Sequence, residues 1–117
     1  VTYVCVEERP VLFVAYDLPA PAPLNGARPI ASAFAAALVL TPSASQALAV
    51  ADVTLTAAAG RDVSHAFSQE FERLRLDNPA ARLLPVLQAL AMERRATINL
   101  NLLDDQRLIV GVESCRN

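Results

Sequence analysis

The sequence predicts an α+β domain in which two helices pack on one face of a largely antiparallel sheet. Three observations support this fold class. Two segments rich in β-branched and aromatic residues open the chain, two segments with helical spacing lie between residues 62 and 95, and alternating apolar and polar residues close it. The N- and C-terminal strands are expected to lie close together. With 117 residues, the chain is predicted to be one domain spanning 1–117.

The first two strands are predicted at residues 2–8 and 11–17, on either side of Arg9-Pro10. Both segments are rich in valine and aromatic residues, and the Arg-Pro pair favours a tight turn, so together they predict a hairpin. Residues 18–29 follow with four prolines and an Asn25-Gly26 turn signal. Proline cannot donate a backbone hydrogen bond, so this segment is predicted to be an extended surface loop.

Residues 30–59 permit more than one interpretation. The stretch "IASAFAAALVL" is compatible with a short helix or with a buried strand, because periodicity alone does not separate the two for a short apolar run. We favour a strand that ends in "ALVL", because Thr41-Pro42 follows it. A turn and a further strand, "DVTLTAA", are predicted after it.

Two helices are predicted between residues 62 and 95. Asp62 is the expected N-cap of the first, whose apolar residues recur at helical spacing. Asn78 is the expected cap of the second, with Pro79 as its first residue, and that helix is expected to run to about Arg95. The apolar positions are Val63, Phe67, Phe71 and Leu74 in the first helix and Leu83, Leu87 and Leu90 in the second.

The last two strands form the clearest predicted hairpin. In "ATINLNLL", residues 96–103, apolar and polar side chains alternate, and "LIVGVES" repeats the pattern after the "DDQR" turn. Asn99 and Asn101 fall on the polar, solvent-facing side of this hairpin. They are therefore candidate interface residues for another strand or protein.

The two cysteines, Cys5 and Cys115, lie near opposite ends of the chain. If the first and last strands are neighbours, their Cα atoms come within the distance of about 5.5–6 Å that a disulfide needs. We therefore predict a Cys5–Cys115 disulfide and a periplasmic or secreted location, because such bonds persist in oxidising compartments. The alternative is two inert thiols, which would favour the cytoplasm.

Composition excludes several functional classes. The net charge is −2, and the ten basic residues, all arginine, form no cluster that would attract nucleic acid. The longest apolar run spans 33–40, too short to cross a membrane. Two cysteines and one histidine do not make a zinc site, and three glycines allow no phosphate-binding loop, so neither metal nor cofactor is predicted. His65, on the first predicted helix, is the basis of a third hypothesis, a small enzyme.

Two local patterns resemble known families. "YVC" at residues 3–5, "SAS" at 43–45 and the last strand ending in cysteine resemble the small periplasmic inhibitors of c-type lysozyme. Residues 83–114 resemble the helix-then-hairpin of ring or docking modules in envelope secretion machines. The glycine, aromatic and tryptophan positions expected after "SAS" are missing, and no functional residue is carried over.

The leading functional hypothesis is a non-catalytic, extracytoplasmic protein-binding or assembly module of the cell envelope. Its partner is expected to be another protein or a second copy of the chain. The alternatives are a secreted or periplasmic enzyme inhibitor that acts through the proline-rich loop, and a small cytosolic interaction domain. In the loop, the candidate interface residues are Pro21, Pro23, Leu24 and Asn25.

Overall fold

The computed structural model describes residues 1–57 and 62–115. Within these ranges the chain forms two antiparallel sheets and four α-helices, which confirms the α+β class. The strands are β1 Val11–Asp17, β2 Phe34–Leu40, β3 Ala49–Ala57, β4 Ala96–Leu103 and β5 Gln106–Ser114. The helices are α1 Thr2–Glu7, α2 Leu24–Ala27, α3 Gln69–Asp77 and α4 Leu84–Ala91, with a 3₁₀ turn, Ala80–Leu83, directly before α4.

The first segment is a helix, so the predicted N-terminal strand is wrong. The backbone N–H of Cys5 donates to the carbonyl of Val1 at 3.1 Å, and α1 ends at Glu8, which adopts the left-handed conformation with φ 51°. The β propensity of this valine-rich segment is overridden because β1 pairs with β2 instead. The predicted proximity of N- and C-terminal strands is lost with that strand.

Strands β1 and β2 form a two-stranded hairpin in which Val11 pairs with Leu40 and Asp17 pairs with Phe34. The preference for a strand ending in "ALVL" is therefore confirmed. The proline-rich loop and the short helix α2 connect the two strands. Because no strand of the other sheet pairs with this hairpin in the described part of the chain, the protein contains two sheets where one was predicted.

The three-stranded sheet has the order β3-β5-β4 and carries the main core. The predicted hairpin at the end of the chain is confirmed as β4 and β5, and "DVTLTAA" contributes most of β3. One face of this sheet packs against α4 because alternate residues of β4 and β5 are apolar. The buried cluster consists of Val86, Ala89, Ile98, Val110 and Val112.

Helix α3 starts later than the sequence predicts. Its N-cap is Ser68, whose hydroxyl accepts a hydrogen bond from the Phe71 N–H at 3.2 Å, rather than Asp62. The preceding residues follow the edge of β4, where Ser64 N donates to the Asn99 carbonyl at 2.8 Å and Asn99 N donates to the Ser64 hydroxyl at 2.9 Å. Pairing with a strand edge therefore replaces the first helical turns.

The second predicted helix is shorter and begins as a 3₁₀ turn. Asn78 caps it as predicted, and Pro85 lies at the start of α4. The helix ends at Ala91, with Met92 as its C-cap, and Glu93 has a φ of 51°. Arg94 therefore lies beyond the helix and not in its last turn.

Asn78 joins the hairpin to the helices. Its side chain is completely buried, and its Nδ2 donates to the carbonyls of Asp17, at 3.2 Å, and Ser32, at 2.8 Å. Its Oδ1 accepts from the N–H groups of Ala80, at 2.9 Å, and Ala81, at 3.3 Å. One amide thus links the end of β1 and the entry to β2 to the 3₁₀ turn, beside a second link in which the Asp17 carboxylate accepts from the Ala80 N–H at 3.1 Å.

We predict that Asn78→Ala lowers the free energy of unfolding by about 2–4 kcal/mol, because the four hydrogen bonds of a completely buried side chain are lost. Asn78→Asp keeps the two acceptor bonds but places a carboxylate oxygen against the carbonyls of Asp17 and Ser32, so it should also destabilise. Urea unfolding measures both changes. Gln69→Ala, at an exposed position of α3, is the control that should change little. A stability of Asn78→Asp equal to that of the wild type would contradict this role for the two donor bonds.

Candidate functional site

One face of the β1–β2 hairpin is apolar and open to solvent. The register places Leu12, Val14 and Tyr16 of β1 beside Val39, Ala37 and Ala35 of β2. Leu12 is 65%, Val14 51%, Tyr16 68% and Val39 71% exposed. No charged residue interrupts this set of six, which we call the hairpin face.

The opposite side of the hairpin faces the rest of the protein only in part. Ala15, Ala36 and Leu38 are half-buried there, and Phe13 remains 40% exposed. The main core cluster draws its buried residues from α4, β4 and β5, and none from β1 or β2. A hairpin alone is marginally stable in water, so its attachment through Asn78 maintains the hairpin face in position.

A cleft lies between residues 64–67, helix α4 and the start of β4. Its volume is about 360 Å³. Apolar side chains line much of it, and arginine and histidine side chains stand among them. The lining residues are Ser64, His65, Phe67, Pro85, Gln88, Ala89, Met92, Arg94, Arg95, Ala96 and Ile98.

Glu72 organises the polar cluster beside this cleft. Its carboxylate accepts from the Arg75 Nε at 2.9 Å and from the Ala66 N–H at 2.6 Å, and it lies 2.9 Å from His65 Nδ1. Hydrogen bonding to Arg75, and to a lesser extent to His65 and the Ala66 N–H, holds the pKa of Glu72 well below its usual value although burial opposes the shift. The same pair raises the pKa of Arg75.

His65 precedes α3, so the prediction that it lies on a helix is wrong. Its exposed ring contacts Glu72 through Nδ1, which leaves Nε2 on the other side of the ring. The neighbouring hydroxyls are engaged in the backbone: Ser64 Oγ accepts from Asn99 N, and Ser68 Oγ caps α3. His65 therefore does not pair with Ser64 or Ser68 as the histidine and serine of a hydrolase do.

The predicted interface residues lie in two separate environments. Pro21, Pro23 and Leu24 are exposed around α2, so they remain a prediction. Asn25 is half-buried, and its Oδ1 accepts from the Ile30 N–H at 3.1 Å, which closes the loop.

Asn99 and Asn101 are less exposed than their position on a polar sheet face suggests. Both side chains are half-buried. Asn101 Oδ1 accepts from Arg107 Nη1 at 2.9 Å, while Asn99 Oδ1 and Arg107 Nε are buried polar atoms without a hydrogen-bond partner in the described structure. Asn101 is therefore engaged in a polar contact within the sheet.

The predicted disulfide is wrong. Cys5 and Cys115 are both exposed, free thiols. The physical reason is topological: Cys5 lies on α1 and not on a strand, and the neighbours of β5 are β3 and β4. Cys115 instead donates its backbone N–H to the Leu48 carbonyl at 3.0 Å. Because the periplasmic or secreted location was expected from this bond, the free thiols remove that support for secretion.

Comparison of the chain with known proteins gave no match. The chain matches no protein-family model, no curated protein and no solved structure. Neither resemblance noted in the sequence therefore gains support from a match.

Within the residues that the structure describes, no helix has the length and apolar character needed to cross a membrane. In the same part of the chain, no group of three or more histidine, cysteine or acidic side chains is arranged to hold a metal ion.

We predict that both thiols react without reductant. Native protein prepared without reductant should take up two labels per chain, and intact mass after alkylation measures the number. Reduction before labelling should add none, because neither sulfur is in a disulfide. If labelling rises from zero to two per chain only after reduction, Cys5 and Cys115 form a disulfide and the prediction of free thiols is wrong.

We also predict that Glu72→Gln lowers the free energy of unfolding by about 1–2 kcal/mol at neutral pH, since the charged hydrogen bonds to Arg75 are lost. Because the folded-state pKa of Glu72 is depressed, its contribution is complete above the unfolded-state pKa of about 4.3 and is lost as the pH falls below it.

The difference between wild type and Glu72→Gln should therefore shrink between about pH 4 and about pH 2. Urea unfolding across that range measures it. Glu70→Gln, an exposed acid in the first turn of the same helix, is the matched control. A difference that does not change with pH would contradict the role assigned to the Glu72 charge.

Proposed function

We propose that this protein is a non-catalytic assembly module that binds a second copy of itself through the hairpin face. The observation that carries the proposal is the set of six uncharged side chains exposed side by side on β1 and β2. Contiguous apolar patches of this kind on soluble proteins mark interaction sites. Residues at the centres of interfaces are likewise depleted in charge.

The shape of the hairpin face favours a second copy as the partner. The bulky side chains Leu12, Val14 and Tyr16 form a ridge along β1, whereas Ala35 and Ala37 form a shallow row along β2. A twofold axis parallel to the strands, midway between two stacked hairpins, sets β1 of each copy over β2 of the other. Val14 and Tyr16 of one copy then lie over Ala37 and Ala35 of its partner, and Leu12 lies over Val39, in an isologous sheet-on-sheet contact.

The area of the hairpin face sets the expected strength of the contact. From their exposed fractions, Leu12, Val14, Tyr16 and Val39 present roughly 400–500 Å². Two such faces would bury about 800–1,000 Å², below the range of about 1,200–2,000 Å² typical of stable complexes. The dimer should therefore be reversible, with a dissociation constant in the micromolar range or weaker.

The charge of the protein is compatible with this association. Each copy has a net charge of −2, so electrostatic repulsion between two copies is small. Because the hairpin face holds no charged group, its burial carries no cost of charge desolvation.

We predict that Val14→Glu abolishes self-association, because the carboxylate would be buried against the alanine row of the second copy. Sedimentation velocity between about 1 μM and about 100 μM measures the wild-type dimer and its loss. Thr97→Glu, at an exposed position of β4, adds the same charge elsewhere and should associate like the wild type. Circular dichroism verifies that each variant is folded.

A second pair of variants tests the proposed arrangement. Val14 and Ala37 are directly paired in the hairpin, so stacking about the twofold axis places Val14 of one copy over Ala37 of the other. Ala37→Arg alone should be monomeric, and a mixture of Val14→Glu with Ala37→Arg should recover association. A wild type that stays monomeric at about 100 μM, or a Val14→Glu variant that associates as well as the wild type, would overturn the proposal.

A further inference from the structure

We infer that the cleft beside α4 binds a small carboxylate that carries one apolar group. This site is separate from the hairpin face, because β1 and β2 contribute none of the residues that line it. The inference depends on three features of the cleft: an apolar lining, an arginine without a carboxylate partner, and a free amide donor.

The apolar lining comes from residues that the fold buries. Pro85 and Ala89 of α4 and Ile98 of β4 are buried, and Phe67 stands exposed at the margin of the cleft. A volume of about 360 Å³ lies near the lower end of the range for ligand sites, about 300–1,000 Å³. The cleft therefore accommodates one aromatic or branched aliphatic group.

The charged groups around the cleft favour an anion. None of the eleven lining side chains is acidic, whereas Arg94, Arg95 and His65 are among them. Arg95 pairs with Glu113 at 3.0 Å and His65 contacts Glu72. Within residues 1–57 and 62–115, Arg94 contacts the Met92 sulfur at 3.0 Å and has no carboxylate partner.

Gln88 provides a neutral donor at the same cleft. Its Oε1 accepts from the Phe67 N–H at 2.9 Å, and this bond fixes the orientation of the amide. The Gln88 NH₂ group is then available as a donor, since the described residues provide no acceptor for it. An arginine and an amide beside an apolar lining match a carboxylate attached to an apolar group.

The planar guanidinium of Arg94 binds a carboxylate through two parallel hydrogen bonds. Arg94 and the neutral Gln88 amide match the single negative charge of a carboxylate better than the approximately two charges of a phosphate monoester. We therefore assign the ligand to the class of small monocarboxylates.

Titration with phenylacetate, followed by ¹H–¹⁵N correlation NMR of the wild-type chain, tests this assignment. We expect shifts confined to amides around the cleft and a dissociation constant of about 1 mM, as the probe has only about ten non-hydrogen atoms. Phenylacetamide, which lacks the charge, and acetate, which lacks the apolar group, should each bind more weakly. Higher salt should weaken the binding of phenylacetate.

Arg94→Gln should raise the dissociation constant about two- to fivefold, the effect expected for one exposed charge pair. Arg73→Gln removes an exposed arginine of α3 outside the cleft and should leave the constant unchanged. Either of two results would overturn the inference. One is the absence of cleft shifts up to about 20 mM phenylacetate; the other is equal binding of phenylacetate and phenylacetamide.

Discussion

The buried amide of Asn78 is the interaction on which the arrangement of the two sheets depends. The main core cluster does not join them, because its buried residues belong to α4, β4 and β5. Asn78 instead binds the carbonyls of Asp17 and Ser32 on the hairpin side and two N–H groups of the 3₁₀ turn on the helix side. A hydrogen-bond network of this kind is directional, so it specifies an orientation that apolar packing leaves loose.

The hairpin face follows from that mode of attachment. Because the hairpin is attached near the end of β1 that holds Asp17, only one of its sides approaches the rest of the protein. The radius of gyration of 15.3 Å exceeds the value of about 13 Å for a compact chain of this length, in keeping with an extended arrangement. Both sides of this two-stranded sheet carry apolar side chains. Since only one side approaches the rest of the protein, the other is open to a partner.

Local sequence signals were reliable where they coincided with local contacts. The alternation in residues 96–103, the turn at Asp104-Asp105 and the cap at Asn78 were all correctly predicted, since each depends on residues close in the chain. Predictions that needed a distant partner were wrong. The segment 2–8 was assigned to a strand whose partner was taken by β2, and Asp62 was assigned to a cap in a segment that pairs with β4. The disulfide was wrong for the same reason, because it assumed neighbouring terminal strands.

The sequence by itself determined the α+β class and the last hairpin, because composition and periodicity decide these properties residue by residue. Only the tertiary structure decided which apolar residues would be exposed. Leu12, Val14 and Tyr16 are as apolar as the core residues of β5, and their exposure results from strand pairing and from the position of Asn78. The cleft likewise combines Ser64–Phe67, α4 and β4, and no sequence pattern links three segments whose contact is set by packing.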